Sequence, residues 1–444
     1  MSTPEQQHPQ IHDQLQKLSV ALGKPFSALP TNTALASLMT HGGMQMLASE
    51  DVVISRIKRA LPNEDVLANA DLARNIQTIA QSFFYRLSSG KYIVPSDLMS
   101  FITFPHEGTT YTREDKPKDD NPNIPAVFTF VGQFVDHDLT MNGLDLFVDQ
   151  TGTVVDGASP LIDLDSIYGP RSAASGTYTD IFAGDQTFKL RQMGPNAYDL
   201  PRADTQAAYM FDPRNDENQL ILQVQILVMR VHNKIIQQLY AADPSLTPGA
   251  ALELARTEVI SNWQSVLLND YLPRILLEDT LAFLKEEVQK PNYGAFKHRP
   301  NQDGTVRMPH EFAIGFRMGH SQLRSTYHLN NNGEIQLFNN RDLQRRGDLR
   351  GSTYLQPDHV IDWNVFYPES GTSPSSLKID SRVTHAAFDL PESTIPDNIK
   401  YIGNLPLRNL IRSREIQVAG GEDLAHFYGV TTLRPSQIER DHKA

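Results

Sequence analysis

The chain has no cysteine in 444 residues. No disulfide and no Cys-ligated zinc can staple a small unit, so anything that folds here must fold around a hydrophobic core. The length permits one: at roughly 150 residues per domain there is room for about three units or one large domain. Hydrophobic residues at 40% and charged residues at 21% suit a soluble globular protein and are too apolar for a disordered one. The same absence removes thiolate nucleophiles, iron–sulfur clusters and thiolate-ligated cofactors. Any metal or cofactor must be held by histidine, carboxylate, amide or backbone oxygen.

With 40 Lys+Arg against 52 Asp+Glu, the formal charge is −12. That balance lacks the basic face a nucleic-acid partner needs. No apolar run reaches the roughly 18–20 residues of a membrane span. Residues 1–10 are polar and lack a signal-peptide pattern, so the expectation is a soluble protein, cytoplasmic or exported without a recognisable N-terminal signal. Residues 1–29, Gln- and His-rich, read as a flexible arm before a single domain over 30–444.

Hydrophobic spacing predicts a mainly α protein with few strands. Leu72, Ile76, Ile79, Phe83 and Leu87 share a helical face within a mostly helical stretch, 31–99. Residues 111–125, charged and rich in Pro and Asn, read as a surface connection. Helices are expected over 127–139, 216–239, 250–283 (broken at Pro273) and 311–323. No Gly-x-Gly nucleotide-binding turn is present.

Five constellations could carry chemistry. Gln133, Asp136, His137 and Asp138 interrupt an otherwise apolar helix, with Gln133 and His137 one turn apart on one face. Burying four such groups is costly unless each is paired, so function competes here with a satisfied core histidine. Arg214, Asn215, Asp216 and Glu217 precede the long helix. Capping by Asn215 or Asp216 explains the acids but leaves the arginine opposing the helix dipole. Gly315 and Gly319 leave a helix face bare beside His320, open to a flat ligand or to another helix. Ser159, Leu161, Asp163 and Asp165 place oxygens at every second residue, as a hard cation such as Ca2+ requires, although a plain charged loop would look similar. Asn409 sits among Arg408, Arg412 and Arg414, by default a solvated basic helix face.

Taken in order, GQFVDHDL, a loop ending in DSIYG, RNDE followed by VMRVHN, DYLP, FRMGH and RNLIRSRE resemble the peroxidase–cyclooxygenase superfamily. These are the haem enzymes that include myeloperoxidase and lactoperoxidase. The resemblance spans about 125–429; nothing before 125 matches. It implies a haem between central helices, with His320 as the proximal iron ligand and its other ring nitrogen donating to Asn409. His137 is implied as the distal base, Arg214 as the cation stabilising charge on the breaking bond, and Gln133 as the distal glutamine. Arg412 corresponds to an arginine pairing with a haem propionate. Asp136 and Glu217 correspond to carboxylates that ester-link the haem in mammalian peroxidases. Asp138, Ser159, the carbonyl of Leu161, Asp163 and Asp165 correspond to calcium ligands.

The activity so implied is reduction of hydrogen peroxide with oxidation of iodide, bromide, thiocyanate or small aromatic donors. The methionine that forms a third haem link in myeloperoxidase is Asn218 here, which argues against chloride oxidation. A fatty-acid dioxygenase of the same superfamily would carry a tyrosine three residues before the proximal histidine, where this chain has Arg317. A non-catalytic peroxidase-like module would have lost His137, Arg214 or His320. A di-iron helical bundle would need paired Glu-x-x-His motifs, which are absent around these histidines.

Overall fold

The computed structural model describes residues 117–140, 161–169, 180–291, 308–339, 347–369, 373–391 (except 381 and 389), 403–409 and 419–434 (except 433), with short strands at 84–85, 112–113, 147–148 and 154–155. Ser159, Arg412 and the 1–29 arm lie outside the described residues. So does the helical stretch predicted over 31–99, apart from Phe84–Tyr85. That pair is extended, in a parallel ladder with Met308–Pro309, where the spacing predicted helix. Two adjacent aromatics suit a strand as well as a helix, and backbone pairing decides between them.

The described fold is mainly α, built on three helices that we number in chain order. Helix α1 spans Val127–Thr140. Every residue of α1 is buried except Gln133 and Asp136, so this is a helix of the interior rather than an amphipathic surface helix. Phe130 and Phe134 are completely buried; truncating either to alanine would cost about 3–5 kcal/mol, which is the scale on which α1 is held in place.

Helix α2 spans Gln219–Ala242, starting and ending three residues later than the sequence predicts. Residues Pro213–Asp216 form a separate 3₁₀ turn, with Asp212 accepting from the Arg214 amide. Neither Asn215 nor Asp216 caps α2. Asn218 does, its side chain accepting from the amides of Leu220 and Ile221. Asp216 instead holds Arg202 through both carboxylate oxygens.

Helix α3 spans Pro248–Val266, capped by Thr247. It runs on through a π turn at Leu267–Tyr271 into Leu272–Ile275. The predicted break at Pro273 is thus moved. The Leu272 amide reaches back to Leu267, and proline sits at the start of the next turn, where its missing N–H costs nothing. Glu278–Glu287 follows as a separate helix.

Strands are short and occur in pairs. Asp120–Pro125 pairs antiparallel with Ser375–Leu377, with a register shift between Ser375 and Ser376. Thr112–Arg113 pairs in parallel with Val383–Thr384. The region read as a surface connection is therefore partly strand. Proline is tolerated because each ladder has only two strands, and Ile124 anchors its ladder in the core.

Candidate active site

The buried face of α1 opens on a cavity. Thr129, Gly132, Gln133, Asp136 and His137 line it, at the spacing that marks one helical face. The segment around His320 lines it as well. There the predicted helix divides into His310–Gly315 and a 3₁₀ turn, Phe316–Gln322. A methyl group added at Gly315 would meet nothing within 4 Å; at Gly319 it would meet only Gln322 Oε1, at 3.8 Å. Among the described residues, the bare face beside His320 is therefore open space and not a helix contact.

The two cavity histidines are arranged alike. His137 donates from Nδ1 to Asn215 Oδ1 at 2.8 Å, leaving Nε2 as the basic atom. Burial, followed by the nearby Arg214 charge, lowers its pKa to about 3, so it is neutral at physiological pH. His320 pairs through Nδ1 with the Asn409 amide at 2.8 Å. Burial, then Arg317 and Arg408, lower its pKa to about 3 as well.

The direction of the second bond differs from the expectation. Asn409 Nδ2 donates to His320, because Arg317 Nη1 already donates to Asn409 Oδ1 at 3.3 Å. An imidazole ligating through Nε2 must carry its proton on Nδ1. Ligation therefore goes together with a half-turn of the Asn409 amide.

Arg214 departs further from expectation. Its Nε spans both oxygens of Asp212, at 3.1 and 3.2 Å, and Nη2 donates to Asp212 Oδ2 at 2.7 Å and to the His137 carbonyl at 2.6 Å. It braces α1 from behind the histidine and is not among the cavity-lining residues. Its hold on Asp212 has a reason: burial pushes that carboxyl up, and the adjacent guanidinium, helped by His137 and the Arg214 amide, brings it below its usual value. The arginines that line the cavity are Arg317 and Arg408. Arg408 is buried and not on a solvated face; burial lowers its pKa to about 10.

Glu217 and Asp136 both line the cavity. Burial raises Glu217 to about 7, against the pull of Arg214 and Arg408. Gln133 accepts from Asn218 Nδ2 at 3.1 Å, joining α1 to the start of α2. The remaining wall includes Tyr271 and Phe316, from the DYLP and FRMGH stretches, together with Leu323, Phe338 and Leu390, which no motif marked. Helical spacing had located the face of α1 but could not show which loops close over it.

The proposed calcium residues converge only in part. Asp138 is buried and accepts from the amides of Leu164 (3.1 Å) and Ser166 (3.3 Å). Burial, then Asp165 and Asp163, raise its pKa well above the usual value. Asp165 opens a one-turn helix, Asp165–Tyr168, instead of continuing an extended run, and it pairs with Arg256 at 3.1 Å. Leu161 is exposed. Among the described residues, no group of three His, Asp or Glu side chains is set to hold a metal ion.

A haem fits the cavity better. The bare wall at Gly319 would receive a flat ring, and the acid groups of the haem would meet buried cations. Arg408 Nη1, Arg317 Nε and Gln322 Nε2 are buried with no hydrogen-bond acceptor among the described residues.

The chain is similar to known haem proteins. The family model Animal haem peroxidase matches residues 145–362, a stretch that includes Arg214, Glu217 and His320 but not α1 or Asn409. The chorion peroxidase of Drosophila melanogaster is 23% identical over 229 residues, 46% of this chain and 27% of that protein. The chain thus matches about a quarter of that relative's length. Among solved structures, Peroxidase A from Dictyostelium discoideum superposes with a TM-score of 0.52 at 16% identity, covering 81% of this chain and 78% of that one. Fatty acid alpha-dioxygenase from Oryza sativa gives 0.52 at 13%, covering 80% and 66%. At such identities these likenesses speak for the fold alone. Family match, shared fold and mainly helical architecture agree: residues 145–362 match the animal haem peroxidase family model, on a fold shared with solved peroxidase and fatty-acid dioxygenase structures.

Proposed function

We propose that this protein is a haem peroxidase that reduces hydrogen peroxide and oxidises small anionic or aromatic donors, with iodide, bromide and thiocyanate the favoured anions. One observation carries the reading. Two histidines from different elements, His137 and His320, line one cavity, each tied at Nδ1 to an asparagine. His320 would hold a haem at its iron, and the haem would supply the redox chemistry with peroxide.

The chain's own groups handle protons and position. His137 Nε2 takes a proton from peroxide and returns it to the departing oxygen, while Asn215 keeps the ring in that tautomer. A pKa near 3 keeps the base unprotonated across the physiological range. Arg214 acts as a positioning residue through the His137 carbonyl. Gln133 lines the cavity with its oxygen engaged by Asn218, so its amide N–H groups are the part that would meet a ligand. Asp136 and Glu217, both on the cavity wall, are the carboxyls that would form ester links to the haem rim. Asn218 excludes a sulfonium link there. Calcium enters the reading only through charge balance: a divalent ion would relieve the mutual repulsion of buried Asp138, Asp163 and Asp165. The dioxygenase alternative ranks second, since Arg317 lines the cavity where that chemistry needs a phenol.

Reconstitution with haem tests the proposal. The ferric spectrum should be that of a histidine-ligated haem, and peroxide should drive oxidation of bromide and of an aromatic donor. His137→Ala should lower turnover by about 10²–10⁴-fold while haem stays bound. Bound haem without turnover, or a fully active variant, would remove the peroxidase reading. Haem that leaves freely in acidified organic solvent would remove the ester links alone.

A further inference from the structure

The π turn Leu267–Tyr271 faces two ways. Tyr271 is 3% exposed and lines the cavity, and its hydroxyl makes no hydrogen bond among the described residues, which is unusual for a buried tyrosine. Its Oη lies so close to α1 that a Cβ on Gly132 would stand 2.5 Å away, so only glycine there admits the ring. The preceding residue, Asp270, is turned outward, its side chain 39% exposed. From the cavity an aromatic series runs to that surface. Tyr271 stacks on Phe128 with centroids 6.3 Å apart, and Phe128 meets the edge of Tyr367 at 5.7 Å. Tyr367 is half-buried, and its hydroxyl donates to Asp270 Oδ2 at 3.4 Å. Arg274 holds that carboxylate at 2.7 Å and lies over the Phe128 ring.

Tyr367 thus combines three properties: an oxidisable phenol at the surface, a carboxylate to take its proton, and ring contacts leading to the cavity. We propose that Tyr367 is a second oxidation site, through which donors too large to enter the cavity, bulky phenols in particular, are oxidised at the surface. The inference rests on the peroxidase reading, which supplies the oxidant. Reduction of one peroxide to two waters consumes two electrons and two protons. Tyr367 gives up one electron, which passes by way of Phe128 and Tyr271 into the cavity, and its phenolic proton moves to Asp270. A phenol at the surface then transfers a hydrogen atom to the Tyr367 radical and becomes a phenoxyl radical, and Asp270 releases its proton to solvent. Two such turns balance the reaction.

The test compares the haem-loaded protein with Tyr367→Phe and Asp270→Asn. Peroxide is added with a radical trap, and trapped adducts are located by peptide mass spectrometry. In parallel, oxidation of a small phenol is compared with that of a phenol attached to a large polymer. The expected result is an adduct at Tyr367 in the parent and none at that position in Tyr367→Phe. The variant should oxidise the polymer-bound phenol about tenfold or more slowly, with small-phenol turnover within about twofold of the parent. Asp270→Asn should reduce the adduct and keep the fold, because it preserves shape. Equal polymer-phenol rates in parent and Tyr367→Phe, or an adduct confined to other residues, would overturn the surface site while leaving the peroxidase reading standing. A parent whose haem spectrum does not respond to peroxide would overturn both.

Discussion

Glu217 shows how one carboxyl is set by its surroundings. Burial raises it from 4.5 to about 7, and Arg214 and Arg408 do not fully compensate. The sign of its effect on stability follows. Between pH 4.5 and 7 the unfolded chain has lost this proton and the folded chain keeps it, so ionisation favours unfolding as pH rises through that window. The full shift corresponds to about 3 kcal/mol, and water in the cavity reduces it to about 1–3 kcal/mol. Glu217→Gln removes the term. Urea unfolding should show the variant gaining about 1–3 kcal/mol on the parent between pH 4.5 and 7.5. A difference that stays flat with pH would mean the carboxyl is not held protonated. The same burial acts in the opposite sense on His137 and His320, which it keeps neutral.

At the scale of elements, the start of α2 links helix capping to the site. Asn218 accepts two orphan amides of α2 with Oδ1 and donates from Nδ2 to Gln133 on α1. One side chain therefore caps a helix and fixes the orientation of a cavity amide. Asn218→Ala should cost about 1 kcal/mol of stability from the lost cap. It should also loosen Gln133, seen as a weaker response of the haem spectrum to added halide; Asn218→Asp, which keeps the cap and loses the donor, should lower halide response with the stability retained. If neither variant changes the halide response, the Gln133 contact has no part in the site. The π turn illustrates the same coupling: its extra residue per turn brings Tyr271 against Gly132 while the helical run continues past Pro273 to Ile275.

For the whole molecule, the cavity is walled by segments far apart in sequence: α1, the start of α2, the π turn, the His320 turn, Leu337 and Phe338, Leu390, and Arg408. A ligand bound there ties these segments together and stabilises only the folded state. With free haem at 100 times its Kd, the gain is about 2.7 kcal/mol. Calorimetry should show Tm rising with haem concentration and the rise largely lost in His320→Ala, whose own unliganded Tm gives the reference. An equal rise in that variant would place the haem elsewhere.

How much of this was legible in the sequence divides along physical lines. Local periodicity located α1 to within one residue, and its polar stripe singled out Gln133, Asp136 and His137, which all line the cavity. Both the spacing on a helix and the cost of burying polar groups are properties of the chain itself. Bare glycines beside His320 were equally visible, although not whether another helix would fill the gap. The sequence could not say where a long side chain would end. Arg214 and Arg408 each have several rotatable bonds, and their positions depend on which buried carboxylates and carbonyls the rest of the fold presents. Arg214 was claimed by Asp212 and the His137 carbonyl, and Arg408 was drawn into the cavity wall. The cap fell on Asn218 because α2 begins only where the 3₁₀ turn ends, and strands at 120–125 formed because distant partners were there to pair. The chain alone determined which faces are buried and which residues could do chemistry. Tertiary structure decided which charges meet, because ion pairs and ladders join residues that lie far apart along the sequence.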